Sequence, residues 1–152
     1  MKKLSSLLLI LVLIGSISCK KDETNTQSEQ LAIDTELINK YLTENDLTAK
    51  MHSSGLQYII SKEGNGIHPN SGSTVTVQYS GYLLDGTKFD SGTATFPLSN
   101  VIQGWQVGIP LFKKGGRGRL FIPSYMGYGI SGSSSIPANA PLIFDVYLIS
   151  FQ

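Results

Sequence analysis

Over residues 74–84 the chain alternates with a period of two: Val75, Val77 and Tyr79 fall on one side, Thr74, Thr76 and Gln78 on the other. That period belongs to a strand with one buried and one wet face. Asp85-Gly86 follows at once, a dipeptide that accepts the backbone of a tight hairpin turn, and Lys88-Phe89-Asp90 starts the return. Beyond Gly55 most of the chain is of the same kind. Residues 56–62 place Tyr58, Ile59 and Ile60 between a glycine and the Gly64-Asn65-Gly66 turn; a short piece covers residues 95–98; residues 117–122 and the long aromatic and β-branched run 142–151 add two more strands. A mostly antiparallel sheet of this kind must have a cover for its apolar face.

Val101-Ile102-Gln103-Gly104-Trp105 supplies the cover. Two branched aliphatics and a glycine lead to the only tryptophan in 152 residues, and Trp105, Ile109 and Phe112 continue as a helical patch that Pro110 keeps short. We expect one helix across one face of the sheet, with no other cover available. Tryptophan suits both a plain core and the floor of a pocket, since it combines a large apolar ring with an N–H that needs a partner.

The first thirty residues are of another character. Lys2 and Lys3 precede the apolar run 7–14, and Gly15, Ser16, Ile17 and Ser18 lead to Cys19; residues 1–18 read as a secretory signal, too short for a membrane span. As the only cysteine, Cys19 has no disulfide partner within the chain. Its setting resembles the lipobox of bacterial lipoproteins, with Ser16 where an aliphatic residue is usual. That resemblance implies lipidation of Cys19 and an exported, membrane-anchored protein facing the periplasm or cell surface. Residues 20–30 carry no aliphatic or aromatic side chain, so residues 19–30 read as a lipidated cysteine and flexible tether. Residues 31–54 read as a helix and linker. Ile33, Leu37, Ile38, Tyr41 and Leu42 share a face, Asp34 is the expected N-cap with Ile33 and Ile38 as its staple, and Asn45-Asp46 is the stop.

Several chemistries find no residues to carry them. A net charge of +1 gives no field for nucleic acid. His52 and His68 stand in turns without metal-ligand spacing, so no metal or cofactor is expected. The Lys113–Gly118 run lacks the strand-to-helix setting of a phosphate loop, and the two histidines are poorly placed to serve as the base that a serine or threonine nucleophile needs.

What remains is an excess of aromatics beside turns. Val75 to Gly81 (Val-Thr-Val-Gln-Tyr-Ser-Gly), Asp85 to Asp90 (Asp-Gly-Thr-Lys-Phe-Asp), Val101 to Trp105, Tyr128-Gly129 and Leu142 to Val146 (Leu-Ile-Phe-Asp-Val) together resemble the FKBP-type peptidyl-prolyl cis-trans isomerases, in that family's order and over residues 55–152. The resemblance implies an α+β fold, an antiparallel half-barrel wrapped around one short helix. It implies a site in which Trp105 is the floor under a proline ring, with Tyr79, Phe89, Phe96, Val101, Ile102 and Phe144 as walls. In that site the Ile102 N–H and the Tyr128 hydroxyl bind peptide carbonyls, Asp90 faces the twisting amide, and Ile136 closes the rim. The uncharged stretch 91–95 lacks the basic residue that many relatives bring near the aspartate, so Asp90 is expected to lean on tyrosine hydroxyls. Implied partners are proline-containing unfolded or partly folded chains, and macrolides of the tacrolimus and rapamycin type. Two functions fit: an isomerase, or a module that holds proline-containing chains with little turnover.

Overall fold

The computed structural model describes residues 23–152. The expected signal sequence, Cys19 and the first residues of the expected tether lie outside the described residues. Helix α1 (Glu23–Glu44) comes first, then strands β1 (Lys50–Met51), β2 (Gln57–Lys62), β3 (Thr74–Leu83) and β4 (Lys88–Pro97). Helix α2 (Gln103–Gly108), β5 (Arg117–Ile122) and β6 (Leu142–Phe151) complete the fold, with short 3-10 turns between them. The strands form one open, antiparallel sheet in the order β1-β2-β5-β6-β3-β4.

Period-two patterning turned into packing as expected on the inner face. Val75 and Val77 from β3, Leu120 and Ile122 from β5, and Leu142, Phe144, Val146 and Leu148 from β6 share one core with Trp105, Ile109 and Phe112. The short helix α2 lies directly on β5 because two glycines four residues apart face the sheet. A Cβ on Gly104 would stand 2.4 Å from Ile122 and one on Gly108 2.6 Å from Leu120. At ordinary carbon contact distances of about 3.5–4.0 Å, any side chain there would lift the helix.

Four expectations are corrected. β4 is one ten-residue strand rather than two pieces: Ser91 and Gly92, poor in β propensity, stay in the ladder with Thr93 because each is paired with β3 (Ser80↔Ser91, Tyr79↔Gly92, Gln78↔Thr93). The sheet has a second cover. Ile38 and Leu42 of α1 bury against Phe121 and Ile143, which alternate to the outer face, with Tyr41 tilted on the Phe121 ring at 6.0 Å. The stretch read as tether is helical from Glu23, and so Asp34 is not an N-cap but lies mid-helix, fully buried. Only part of the expected α1 face is inward: Ile33 and Leu37 are 52% and 42% exposed, because the stripe that turns toward the domain is Asp34, Ile38 and Leu42.

The stop at Asn45-Asp46 has a clear mechanism. Asp46 adopts a left-handed φ of 52°, its N–H returns to the Thr43 carbonyl at 3.3 Å, and the Leu47 N–H returns to the Leu42 carbonyl at 2.9 Å. These are the two bonds of a Schellman motif, closing over carbonyls that the helix end leaves unpaired. No described helix is long and apolar enough to cross a membrane.

Candidate active site

Five elements converge on one cavity of about 300 Å³. β3 contributes Tyr79, paired across the ladders with Gly92 of β4 and Val146 of β6. β4 brings Asp90, Ala94 and Phe96 to the same opening, and β6 brings Phe144. After the 3-10 turn Leu98–Asn100 the chain delivers Asn100, Val101, Ile102 and Trp105 from the start of α2. Tyr128 closes the list from the loop after β5.

Trp105 is the floor, 5% exposed, and it is held by three rings. Tyr79 and Phe144 meet it edge-on at 5.0 and 5.1 Å, and Phe96 is tilted against it at 5.3 Å. Edge-to-face contacts place the positive rim of one ring on the negative face of another, which fixes orientation as well as depth. Its Nε1 is buried and has no hydrogen-bond partner among the described residues. One glycine makes the aromatic wall possible. Gly81 stands between Asp90 and Phe144 in the ladder register, and a Cβ there would come within 2.6 Å of the Phe89 ring and 2.8 Å of Phe144.

Polar groups are few and specifically placed. The Tyr79 hydroxyl donates to Asp90 Oδ2 at 2.9 Å, the tyrosine support expected for this aspartate. Burial first, then the hydrogen bond and charge of Asp90, raise Tyr79 above the ordinary tyrosine pKa. At the start of α2 the Ile102 carbonyl accepts the Trp105 and Gln106 N–H groups at 2.9 and 3.2 Å. The Ile102 N–H itself meets no acceptor among the described residues, and the residue lines the cavity. The arrangement can bind an apolar ring at depth and offer hydrogen bonds near the mouth.

Eight of the ten residues expected at the site line this cavity; two do not. Phe89 stands behind the wall, edge-on to Phe144 at 5.5 Å, so it backs the lining rather than forming it. Ile136 is 4% exposed and part of the core, not a rim, because the Ser133↔Ile136 bridge folds it inward; the exposed aliphatic of that loop is Ile130. Ala94 and Asn100 line the cavity and were not anticipated, since neither residue type carries a signal by spacing. A larger groove of about 600 Å³ is lined by residues such as Gln78, Ser80, Arg117 and Tyr147 and does not include Trp105, Phe96 or Phe144. His52 bonds Ser54 and His68 bonds the Pro110 carbonyl, both away from the cavity. Among the described residues no group of His, Cys, Asp or Glu is placed to hold a metal ion.

An open antiparallel sheet clasping one short helix, with an aromatic cavity at the helix start, defines a class of proteins known from solved structures. The crystal structure of FkpA from Escherichia coli superposes with a TM-score of 0.72 at 35% identity, over 85% of this chain and 62% of that one. The crystal structure of AtFKBP13 superposes with a TM-score of 0.64 at 29% identity, over 69% of this chain and 99% of that one. The family described as FKBP-type peptidyl-prolyl cis-trans isomerase matches residues 65–149, and the chain belongs to it. Its similar proteins include the FKBP-type peptidyl-prolyl cis-trans isomerase FkpA of Aeromonas hydrophila, 47% identical over 68% of this chain and 40% of the relative. The same-named protein of E. coli strain K12 is 36% identical over 87% of this chain and 52% of its own length. The chain thus spans about half the length, or less, of these FkpA relatives.

Proposed function

We propose that this chain is a peptidyl-prolyl cis-trans isomerase that accelerates rotation about Xaa-Pro bonds in exported polypeptides. The observation that carries the reading is the convergence of Tyr79, Asp90, Ile102, Tyr128 and Phe144 around the Trp105 floor in one cavity sized for a small apolar ring. The prolyl bond resists rotation because resonance stiffens it, with a barrier of about 18–20 kcal/mol. Twisting removes the resonance and leaves a less polar carbonyl. An apolar cavity therefore binds the twisted amide more tightly than the planar one, which is what lowers a barrier. The proline ring stacks on Trp105, the Ile102 N–H holds one substrate carbonyl, the Tyr128 hydroxyl holds another, and Asp90, oriented by Tyr79, faces the rotating amide. A thousandfold acceleration asks for only about 4 kcal/mol of such selective binding.

Macrolides of the tacrolimus and rapamycin type would compete for the same cavity. Acylation of Cys19 would hold the domain at a membrane facing the periplasm or cell surface, and buried acyl methylenes at about 0.8 kcal/mol each make the anchor firm when more than one chain is attached. A protease-coupled assay on a short Xaa-Pro peptide tests the activity: a rate equal to the uncatalysed background would leave only a proline-binding module. Mass spectrometry of the amino terminus isolated from membranes tests the anchor, and an unmodified Cys19 would remove it.

A further inference from the structure

The stripe by which α1 meets the domain contains a carboxylate. Asp34 is completely buried, one turn before Ile38 and two before Leu42. A charge in such a place survives only when its oxygens are fully engaged. Oδ2 accepts the Ser124 N–H at 2.7 Å and the Ser124 hydroxyl at 2.7 Å, and Oδ1 accepts the Gln30 amide at 2.8 Å. The two bonds from Ser124 have a clear meaning. Ser124 opens the 3-10 turn Ser124–Met126, and the residue before it is Pro123, whose side chain holds no acceptor; the turn has no cap of its own. Asp34 caps it from 90 residues away.

That turn leads into the cavity. Tyr128 lies four residues past Ser124, with only the buried Met126 and the half-buried Gly127 between it and Tyr125, whose hydroxyl donates to the Ser54 carbonyl. No hydrogen bond fixes the Tyr128 hydroxyl among the described residues, so its place is set by the backbone on either side. On the far side the Tyr128 carbonyl accepts the Gly132 N–H at 3.1 Å and the Gly129 carbonyl accepts the Asn139 N–H at 2.8 Å. On the near side the support is the Asp34 cap and the Tyr125 tie.

We propose that Asp34 is a positioning residue for prolyl isomerisation: from α1 it caps the Ser124–Met126 turn and so sets where the Tyr128 hydroxyl meets a substrate carbonyl. This rests on the isomerase reading above. Helix α1 is then part of how the site is built, not only a lead-in to the domain. Without Asp34, two donors of Ser124 are buried with no acceptor, and the turn must open to reach water. Replacement by asparagine keeps an oxygen for Ser124, and Gln30 can turn its amide to match the new NH₂.

The test measures kcat/KM on an Xaa-Pro peptide for the full chain and five variants, with urea unfolding alongside. Asp34→Ala should lower kcat/KM about tenfold, the scale of one misplaced hydrogen bond, while Asp34→Asn stays within about twofold of the parent. In a Tyr128→Phe background, Asp34→Ala should cost no more than about twofold further, because the two act through one hydroxyl. Leu42→Ala, which loosens the same helix on the sheet, should lower stability and spare kcat/KM. Equal losses in both backgrounds, an equal loss in Leu42→Ala, or an asparagine variant as slow as the alanine one would each overturn the proposal. Hydrogen exchange separates this result from the activity itself. If the parent shows no turnover the isomerase reading fails alone, and unchanged exchange of the residue 126–129 amides in Asp34→Ala overturns the positioning as well.

Discussion

Gly104→Ala should destabilise the domain and slow its catalysis even though alanine is the better helix former. The helical preference alone favours the substitution by about 0.5–1 kcal/mol. Against it, the new methyl would stand 2.4, 2.7 and 3.0 Å from Cγ2, Cδ1 and Cγ1 of Ile122, roughly 1 Å short of carbon contact distance. Ile122 is fully buried and β-branched, so it has neither space nor a soft χ1 with which to give way. Overpacking of this kind costs about 1–3 kcal/mol, and the net expectation is a loss of about 1–2 kcal/mol from a domain whose stability lies in the usual range of about 5–15. The variant remains folded, but α2 is displaced from β5 and carries the Trp105 floor and the Ile102 N–H with it. A shift approaching 1 Å in groups that position a substrate costs up to about a hundredfold in rate. Equilibrium unfolding in urea and the protease-coupled assay read the two effects. Ile122→Ala supplies the control. Alone it should cost about 2–5 kcal/mol, and on the Gly104→Ala background it should cost at least about 1 kcal/mol less, because the extra methyl moves into the vacated space. A Gly104→Ala protein with an unchanged or higher urea midpoint, and additive effects in the double variant, would refute the close-approach argument.

Three further outcomes follow from other contacts. Trp105→Leu removes three ring pairs worth about 0.5–1.5 kcal/mol each. It should lower stability by about 2–4 kcal/mol and kcat/KM by about 10- to 100-fold, and full activity in a folded variant would contradict the floor assignment. Tyr79 carries a pKa raised by burial and by Asp90, so the folded state holds that proton more tightly than the unfolded chain does. Its contribution is therefore complete below the unfolded tyrosine value near 10, and is lost as pH rises through the folded value. Tyr79→Phe should flatten this part of the alkaline unfolding profile, as followed by circular dichroism, and an unaltered profile would count against the bond to Asp90. Asp46→Gly replaces a residue held at a left-handed φ of 52° with one that adopts it freely. It should raise stability by up to about 1 kcal/mol, read as a slightly higher urea midpoint, and a lower midpoint would mean that the aspartate side chain matters more than its backbone.

Much of the site was legible because it is written in short motifs. Val75-Thr-Val-Gln-Tyr79 has strand period, Asp85-Gly86 has turn chemistry, and Val101 to Trp105 brings two aliphatics to an indole; these segments contain Tyr79, Val101, Ile102 and Trp105, and their resemblance to the family's motifs, rather than spacing, is what implied the cavity. Phe89 and Ile136 belong to the same motifs and loops, yet one backs the wall and the other is core. Spacing states which side of a strand a residue takes, but not which of two neighbouring rings is nearer the opening. Asn100 and Ala94 line the cavity through position alone.

From the sequence by itself come the antiparallel strands past Gly55, the hairpin at Asp85-Gly86, the short helix interrupted by Pro110 and the end of α1 at Asn45-Asp46. All are decided by backbone preference and periodicity within a few residues. Only the tertiary structure determined that α1 includes residues 23–30, covers the outer face of the sheet through Ile38 and Leu42, and leaves Ile33 and Leu37 outside. It also determined that Asp34 caps a turn rather than its own helix. The reason is that Phe121, Ile143 and the orphan donors of Ser124 come from strands and turns far along the chain, and a helix chooses its inward face by what it meets there.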